Sequence, residues 1–168
     1  MQNDSAIFLF VTGAGTCGQV PELIRALLAR KFTVYSVLTP NVELVTAPAP
    51  LMEIEGNHWI HHYRQAPLER YPFGTLLVAP CTFNTFNKLA LGLADNLATA
   101  MIADGLGAGC RTIIAPSMNR GLWNHPQSKE SRERLQRWGC EVIPPQIRGE
   151  QVTMATISEI VAVVTKHQ

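Results

Sequence analysis

A chain of 168 residues, 46% hydrophobic and 16% charged, has the composition of one soluble globular domain with room for a substantial core. Its formal net charge of +1, without a long Lys/Arg run, gives no footprint for nucleic acid or a membrane surface, and no apolar stretch approaches the length of a membrane span. The four cysteines (Cys17, Cys81, Cys110, Cys140) stand far apart with no C-x-x-C pair; this favours free thiols over disulfides or zinc and makes the cytoplasm the expected location.

The opening residues carry no basic stretch of the kind a secretory signal needs. Residues 6–12 form a near-continuous apolar run, as in a strand covered on both faces. Gly13-Ala14-Gly15-Thr16-Cys17-Gly18 is the turn after it. Val20, Leu23, Ile24, Leu27 and Leu28 then mark an amphipathic helix, with Pro21 in its first turn. Residues 32–38 predict a second strand, closed by Thr39-Pro40. Between residues 42 and 60, Pro48 and Pro50 break any long helix, and residues 44–48 and 51–55 are each short-strand candidates. Residues 57–74, rich in His and aromatics, read as a loop.

Residues 76–79 predict a buried strand that stops at Pro80, followed by a polar turn over residues 81–85. Leu89, Leu93, Leu97 and Met101 recur at intervals of four, which predicts one helix with a single apolar stripe. Gly105, Gly107 and Gly109 let the chain turn back. Residues 112–115 are another buried strand ending at Pro116, and residues 128–138 are a polar helix stopped by Gly139. A short strand (141–143) and a closing helix (157–164) complete the chain. Strands alternating with helices predict an α/β fold: a doubly wound, Rossmann-like, flavodoxin-type parallel sheet with helices on both faces, one domain over residues 1–168.

Three turns carry the chemistry. In the first, Gly13-x-Gly15-x-x-Gly18, small residues let the backbone approach a phosphate and the helix start supplies donors. A dinucleotide site also wants an acid at the end of the second strand, where this chain has Leu38-Thr39-Pro40. A mononucleotide with one phosphate fits better, beside the simpler alternative of a tight turn with no ligand. The second turn follows Pro80 and the third follows Pro116. Both come after buried strands, so all three open on one sheet edge, where ligands of such folds sit. In the third, the Asn119 amide suits a carboxylate or carbonyl, and Met118 and Trp123 offer an apolar wall, although Trp123 is equally readable as core.

Pro80-Cys81-Thr82-Phe83-Asn84-Thr85 resembles the PASANT motif of the homo-oligomeric flavin-containing cysteine decarboxylases. Residues 116–123 are similar to that family's PxMNxxMW motif, with Leu122 replacing the second Met. Asp95-Asn96-Leu97 resembles its DNLLT segment, and Val152-Thr153-Met154-Ala155 its short closing strand. The resemblance spans nearly the whole chain. It implies FMN as cofactor, no metal, and a homo-oligomer (trimer or dodecamer) with flavin near subunit contacts. It also implies a cysteine-containing substrate, oxidised at the thiol by flavin to a thioaldehyde that loses carbon dioxide to give an enethiol. Carried over residue by residue, it gives Gly15, Thr16 and Thr39 the FMN phosphate and ribityl chain, with Gly13 among the cofactor-binding residues. Thr82, Asn84, Thr85 and Ser117 then line the flavin, and Asn119 holds the substrate carboxylate beside Met118.

Two departures matter. The family's base, a histidine upstream of the PASANT proline, falls on Ala66 when counted without a gap. Residues 56–62 resemble the GDPVLHI context of that histidine and place His61 in the role, with residues 67–74 as an insertion and His62 as the fallback. A solvated loop with no base is the plainer alternative. The second departure is the clamp. Phosphopantothenoylcysteine decarboxylase has a clamp cysteine that reduces the enethiol, whereas residues 145–151 here are short and contain none. The resemblance therefore favours the branch that decarboxylates the C-terminal cysteine of a ribosomal peptide and stops at the enethiol. An FMN-dependent NAD(P)H reductase, or a non-catalytic flavin-binding regulatory subunit, are the competing functions.

Overall fold

The computed structural model describes residues 5–166. The first half runs β1 (Ala6–Val11), α1 (Val20–Ala29), β2 (Thr33–Leu38), α2 (Pro48–Met52), β3 (Asn57–Trp59), β4 (Thr75–Cys81) and α3 (Phe83–Leu91). The second runs α4 (Leu97–Gly107), β5 (Arg111–Pro116), β6 (Met118–Asn119), α5 (Arg120–Trp123), α6 (Pro126–Arg137), β7 (Glu141–Val142), β8 (Gln146–Arg148), β9 (Gln151–Thr153) and α7 (Ile157–Thr165).

Six strands pair in parallel in the order β3-β2-β1-β4-β5-β7. The chain steps outward from β1 through β2 to β3, then returns to β4 on the other side. This reversal leaves a crevice outside the carboxyl ends of β1 and β4. Every residue of β1 is buried because both faces are covered. Ile7, Leu9 and Val11 pack with α1 and α7 through Leu23, Leu27, Ile160 and Val164. Phe8 and Phe10 face the other layer, with Phe86 of α3 and Met101 and Ile102 of α4. The doubly wound parallel α/β sheet expected from the sequence is the fold observed. Beside it lies a small antiparallel sheet, β6-β9-β8.

Several local expectations are corrected. The leucine stripe of residues 89–101 is two helices. Gly92, at φ 70, ends α3 in the left-handed conformation that only glycine adopts without strain, and Asn96 starts α4 with a capping box to Thr99. Leu93 consequently lies in the connection, half exposed. Pro80 does not stop its strand: β4 continues to Cys81, with a register shift between Val78 and Cys81 where proline has no N–H to donate. Neither strand candidate, 44–48 or 51–55, forms a strand: a 3₁₀ turn (Pro40–Leu44) ends in the first, and α2 (Pro48–Met52) runs from the end of the first into the second. The residues between and after them are turns and connections, and each helical piece has proline in its first turn. Within the expected loop, Asn57–Trp59 is the sheet's edge strand β3, paired with Val34, Tyr35 and Ser36. Gly105 and Gly107 belong to α4, and only Gly109 (φ 85) turns the chain. Gly105 is small because a Cβ there would lie 2.6 Å from Tyr71 Oη and 2.7 Å from Leu76 Cδ1.

Candidate flavin site

The three turns after β1, β4 and β5 meet as an interlocked rim. Thr12, at the end of β1, donates its hydroxyl to the Pro80 carbonyl (2.7 Å) and accepts from the Thr82 N–H (2.9 Å). Thr16 Oγ1 and Ser117 Oγ are 2.8 Å apart, which joins the first turn to the third. The Ser117 N–H donates to the Cys81 carbonyl (2.8 Å), which joins the third to the second. The Thr39 N–H donates to Val11 O (2.9 Å) and brings in the end of β2. Thr82 caps α3, its hydroxyl accepting from the Thr85 N–H.

This rim floors a cavity of about 870 Å³, within the range of small-molecule sites. All ten non-histidine site residues expected from the sequence line it: Gly13, Gly15, Thr16, Thr39, Thr82, Asn84, Thr85, Ser117, Met118 and Asn119. Two glycines act differently there. A Cβ on Gly13 would lie 2.7 Å from the Asn41 carbonyl oxygen, so backbone meets backbone at that point. A Cβ on Gly15 would meet nothing within 4 Å; the turn opens there into the cavity. The Gly15 and Thr16 amides donate to no protein acceptor among the described residues. With the hydroxyls of Thr16, Thr39 and Ser117 they form a cationless set of neutral donors, a chemistry suited to one phosphate. Burial pushes the Cys81 thiol well above its ordinary range, so it serves as packing and not as a nucleophile.

The opposite wall is the small sheet. Met118 pairs with Val152 and Asn119 with Gln151, so the hairpin of β8 and β9 stands over the cavity and lines it with residues 150–153. Asn119 Oδ1 accepts from the Leu122 N–H (2.9 Å), which caps α5 and leaves the amide N–H₂ for another acceptor. Arg120 fixes the hairpin tip, donating from its guanidinium to Gly149 O and from its N–H to Glu150 O. Sequence reasoning passed over Thr12, whose role appears only once β1 and β4 are neighbours. It also missed the ion pair between Lys88 of α3 and Asp95 (2.6 Å), both lining the cavity. The Lys88 hydrogen bond holds the Asp95 carboxyl below its usual range.

The histidines expected to supply a base stand elsewhere. His61 and His62 follow β3 on an exposed loop and line no part of the cavity. The His61 ring lies against Trp59 (centroids 4.3 Å) and its backbone N–H donates to Gln65. His125 touches the cavity wall from behind, edge-on to Phe83 at 5.4 Å, with Nδ1 occupied by the Gln127 N–H. Trp123 is neither core nor cavity wall; it lies under Arg132, 5.3 Å from ring centroid to guanidinium carbon. No group of three or more His, Cys, Asp or Glu side chains among the described residues is arranged to hold a metal, and no helix among them is long and apolar enough to cross a membrane.

Comparison with known proteins agrees with this geometry. The Coenzyme A biosynthesis bifunctional protein CoaBC of Thermococcus kodakarensis is 28% identical over 162 residues, covering 92% of this chain and 40% of the relative. The chain thus spans less than half the length of that relative. The solved FMN binding protein AtHal3 superposes with a TM-score of 0.81 at 22% identity, covering 98% of both chains. The peptidyl-cysteine decarboxylase EpiD gives 0.78 at 22%, covering 95% of this chain and 97% of that one. At these identities the structural likeness is one of fold. The Flavoprotein family model matches residues 1–168, and the chain belongs to that family, whose cofactor, FMN, is the one expected from the sequence.

Proposed function

We propose that this protein is an FMN-dependent decarboxylase of a C-terminal peptidyl cysteine, releasing the enethiol. The observation that carries this reading is the convergence of all three turn motifs, with Asn119, on one cavity. Gly15, Thr16, Thr39 and Ser117 hold the phosphate end of FMN through neutral donors, and Thr82, Asn84 and Thr85 flank its ring. Bound FMN supplies the two-electron oxidation of the cysteine thiol that makes loss of carbon dioxide easy. Asn119, oriented by its cap to Leu122, presents its N–H₂ to the substrate carboxylate. The hairpin of β8 and β9 forms the wall at that end. Its tip residues, Gly149 and Glu150, include no thiol to reduce the product further.

His61, with His62 as the alternative, is the proton acceptor in this reading. It lies outside its own chain's cavity, so it serves the cavity of a second copy in a homo-oligomer. The coenzyme A branch is the second reading, favoured by the likeness to the Thermococcus relative. One experiment separates the two. The FMN-loaded protein is incubated with peptides ending in cysteine and, separately, with phosphopantothenoylcysteine. Loss of carbon dioxide with two hydrogens from a peptide supports the first reading. Loss of carbon dioxide from phosphopantothenoylcysteine alone replaces it with the second.

A further inference from the structure

The register of the small sheet sorts its side chains by face. Met118 stands directly opposite Val152, and Asn119 directly opposite Gln151. Directly opposed residues of an antiparallel pair point to the same face, with Cβ atoms about 4.5–5.5 Å apart, and successive pairs alternate between faces. Val152 is buried and Met118 half-buried, whereas Asn119 and Gln151 are both exposed and both line the cavity. Arg148, opposite Gln151 on β8, is the third member of that polar row but does not line the cavity. Asn119 has its Oδ1 taken by the Leu122 N–H, so it offers donors only. Gln151 keeps both ends of its amide free: among the described residues, the side-chain hydrogen bonds of the hairpin run from Arg120 to Gly149 O and from Gln146 to Glu159. A pure donor therefore sits beside a group that can both donate and accept.

We propose that Gln151 is a specificity-determining residue: its Oε1 accepts a hydrogen bond from the amide N–H on the nitrogen of the substrate's cysteine. This rests on the decarboxylase reading and adds a second recognition residue to that site. A carboxylate only accepts hydrogen bonds, which matches the donors of Asn119. In an acylated cysteine the amide nitrogen is attached to the same Cα as that carboxylate, within reach of a side chain one strand over. Its N–H needs an acceptor, which Asn119 has already spent on Leu122 and Gln151 has not. The substrate class is therefore a cysteine whose nitrogen carries an acyl group and keeps its N–H. A cysteinyl peptide and phosphopantothenoylcysteine both meet that requirement, so the role of Gln151 is the same for either.

The test uses the FMN-loaded protein and two ligands that differ in one group: a peptide ending in cysteine, and its ester analogue, in which oxygen replaces the cysteine N–H. With the wild type, the ester should lose roughly 3–10-fold in kcat/KM, carried by KM, the scale of one neutral hydrogen bond. Gln151→Leu should lower the amide substrate to the level of the ester and leave the ester nearly where it was, the coupling expected of a direct contact. Quenching of FMN fluorescence reports an intact cofactor site in the variant. Phosphopantothenoylcysteine and its ester analogue replace the pair if that compound is the one turned over. In parallel, calorimetry measures binding of the same two ligands with an alcohol in place of the thiol, which do not react. Equal handling of amide and ester by the wild type, or an amide preference that survives Gln151→Leu, overturns the proposal even if carbon dioxide is released. An amide preference among the alcohol ligands that disappears in Gln151→Leu, without any decarboxylation of the thiols, upholds it and sinks the decarboxylase reading instead.

Discussion

The rim at the ends of β1, β4 and β5 and the histidine loop beyond β3 are built by opposite rules. Rim residues come from four separate segments, are mostly buried, and are tied by hydrogen bonds between positions as far apart as Thr16 and Ser117. The loop over residues 61–66 is held by local contacts: His61 on Trp59, the His61 N–H on Gln65, and Gln65 on the Trp59 carbonyl. Nothing in the chain itself aims the loop at the cavity. The difference separates a cavity rim assembled from distant segments from a surface loop that, in the function proposed above, supplies its proton acceptor to a second copy. Preorganised donors must be fixed before the ligand arrives, whereas a base delivered across a subunit contact needs only a fixed loop.

The sharpest way to break this comparison is His61→Asn. Removal of the proton acceptor should cost about 10²–10⁴-fold in turnover, with FMN affinity and unfolding midpoint as in the wild type, because the side chain is exposed and outside the cavity. His62→Asn in parallel identifies which imidazole acts. Weakened FMN binding in either variant would place the loop at the cofactor and dissolve the contrast.

Thr12→Val attacks the other region. It leaves the half-buried Thr82 N–H without its acceptor and the Pro80 carbonyl with only the Thr12 backbone N–H (3.3 Å), and should cost about 1–3 kcal/mol in urea unfolding along with FMN affinity. Thr12→Ser, which keeps the hydroxyl, should recover most of both. The two turn glycines separate folding from binding. Gly13→Ala forces a Cβ against the Asn41 carbonyl at 2.7 Å and should cost about 1–3 kcal/mol of stability. Gly15→Val leaves unfolding nearly unchanged, because its Cβ points into open space, yet should weaken FMN at least ~10-fold, about 1.4 kcal/mol. Equal effects of the two on stability would mean that the turn is only a chain reversal.

How far this was legible in the sequence follows the range of the interactions. The strands β1, β4 and β5 and the turns after them were readable because apolar runs and Gly, Asn and Thr turn chemistry are local signals. The break between α3 and α4 was not, because leucine periodicity continues across Gly92 and only the positive φ there reveals the stop. β3 was missed because a three-residue edge strand containing Asn57 and His58 shows no apolar alternation; pairing with β2 makes it a strand. Thr12 was missed as a site residue because its partners lie 68 and 70 residues away. The three turns were placed on one sheet edge by strand and turn signals, and the roles of the ten residues in them came from resemblance, a nonlocal source of information. Their neighbours Lys88, Asp95 and Glu150 carry the cavity's charges, and charge on a wall cannot be read before the wall exists.

The smallest effect concerns the element between the two regions, the hairpin over the cavity. Glu159, in the first turn of α7, accepts from the Thr156 N–H and hydroxyl (both 2.8 Å) and from the Gln146 amide at the start of β8. These bonds, the Thr156 backbone donor first, hold its carboxyl below the usual glutamate range. A carboxyl with a depressed folded pKa binds its proton first in the unfolded chain, so its contribution is full above the unfolded value of about 4.3 and is lost as pH falls through the lower folded one. Wild-type stability should therefore decline on acidification through that window more steeply than that of Glu159→Gln, measured by urea unfolding from neutral pH downward. The exposed position makes the effect small at neutral pH. Parallel acid limbs would show that the carboxylate caps α7 no better than an amide, leaving the pairing of β9 with β6, and not the tether from Gln146, to hold the hairpin over the cavity.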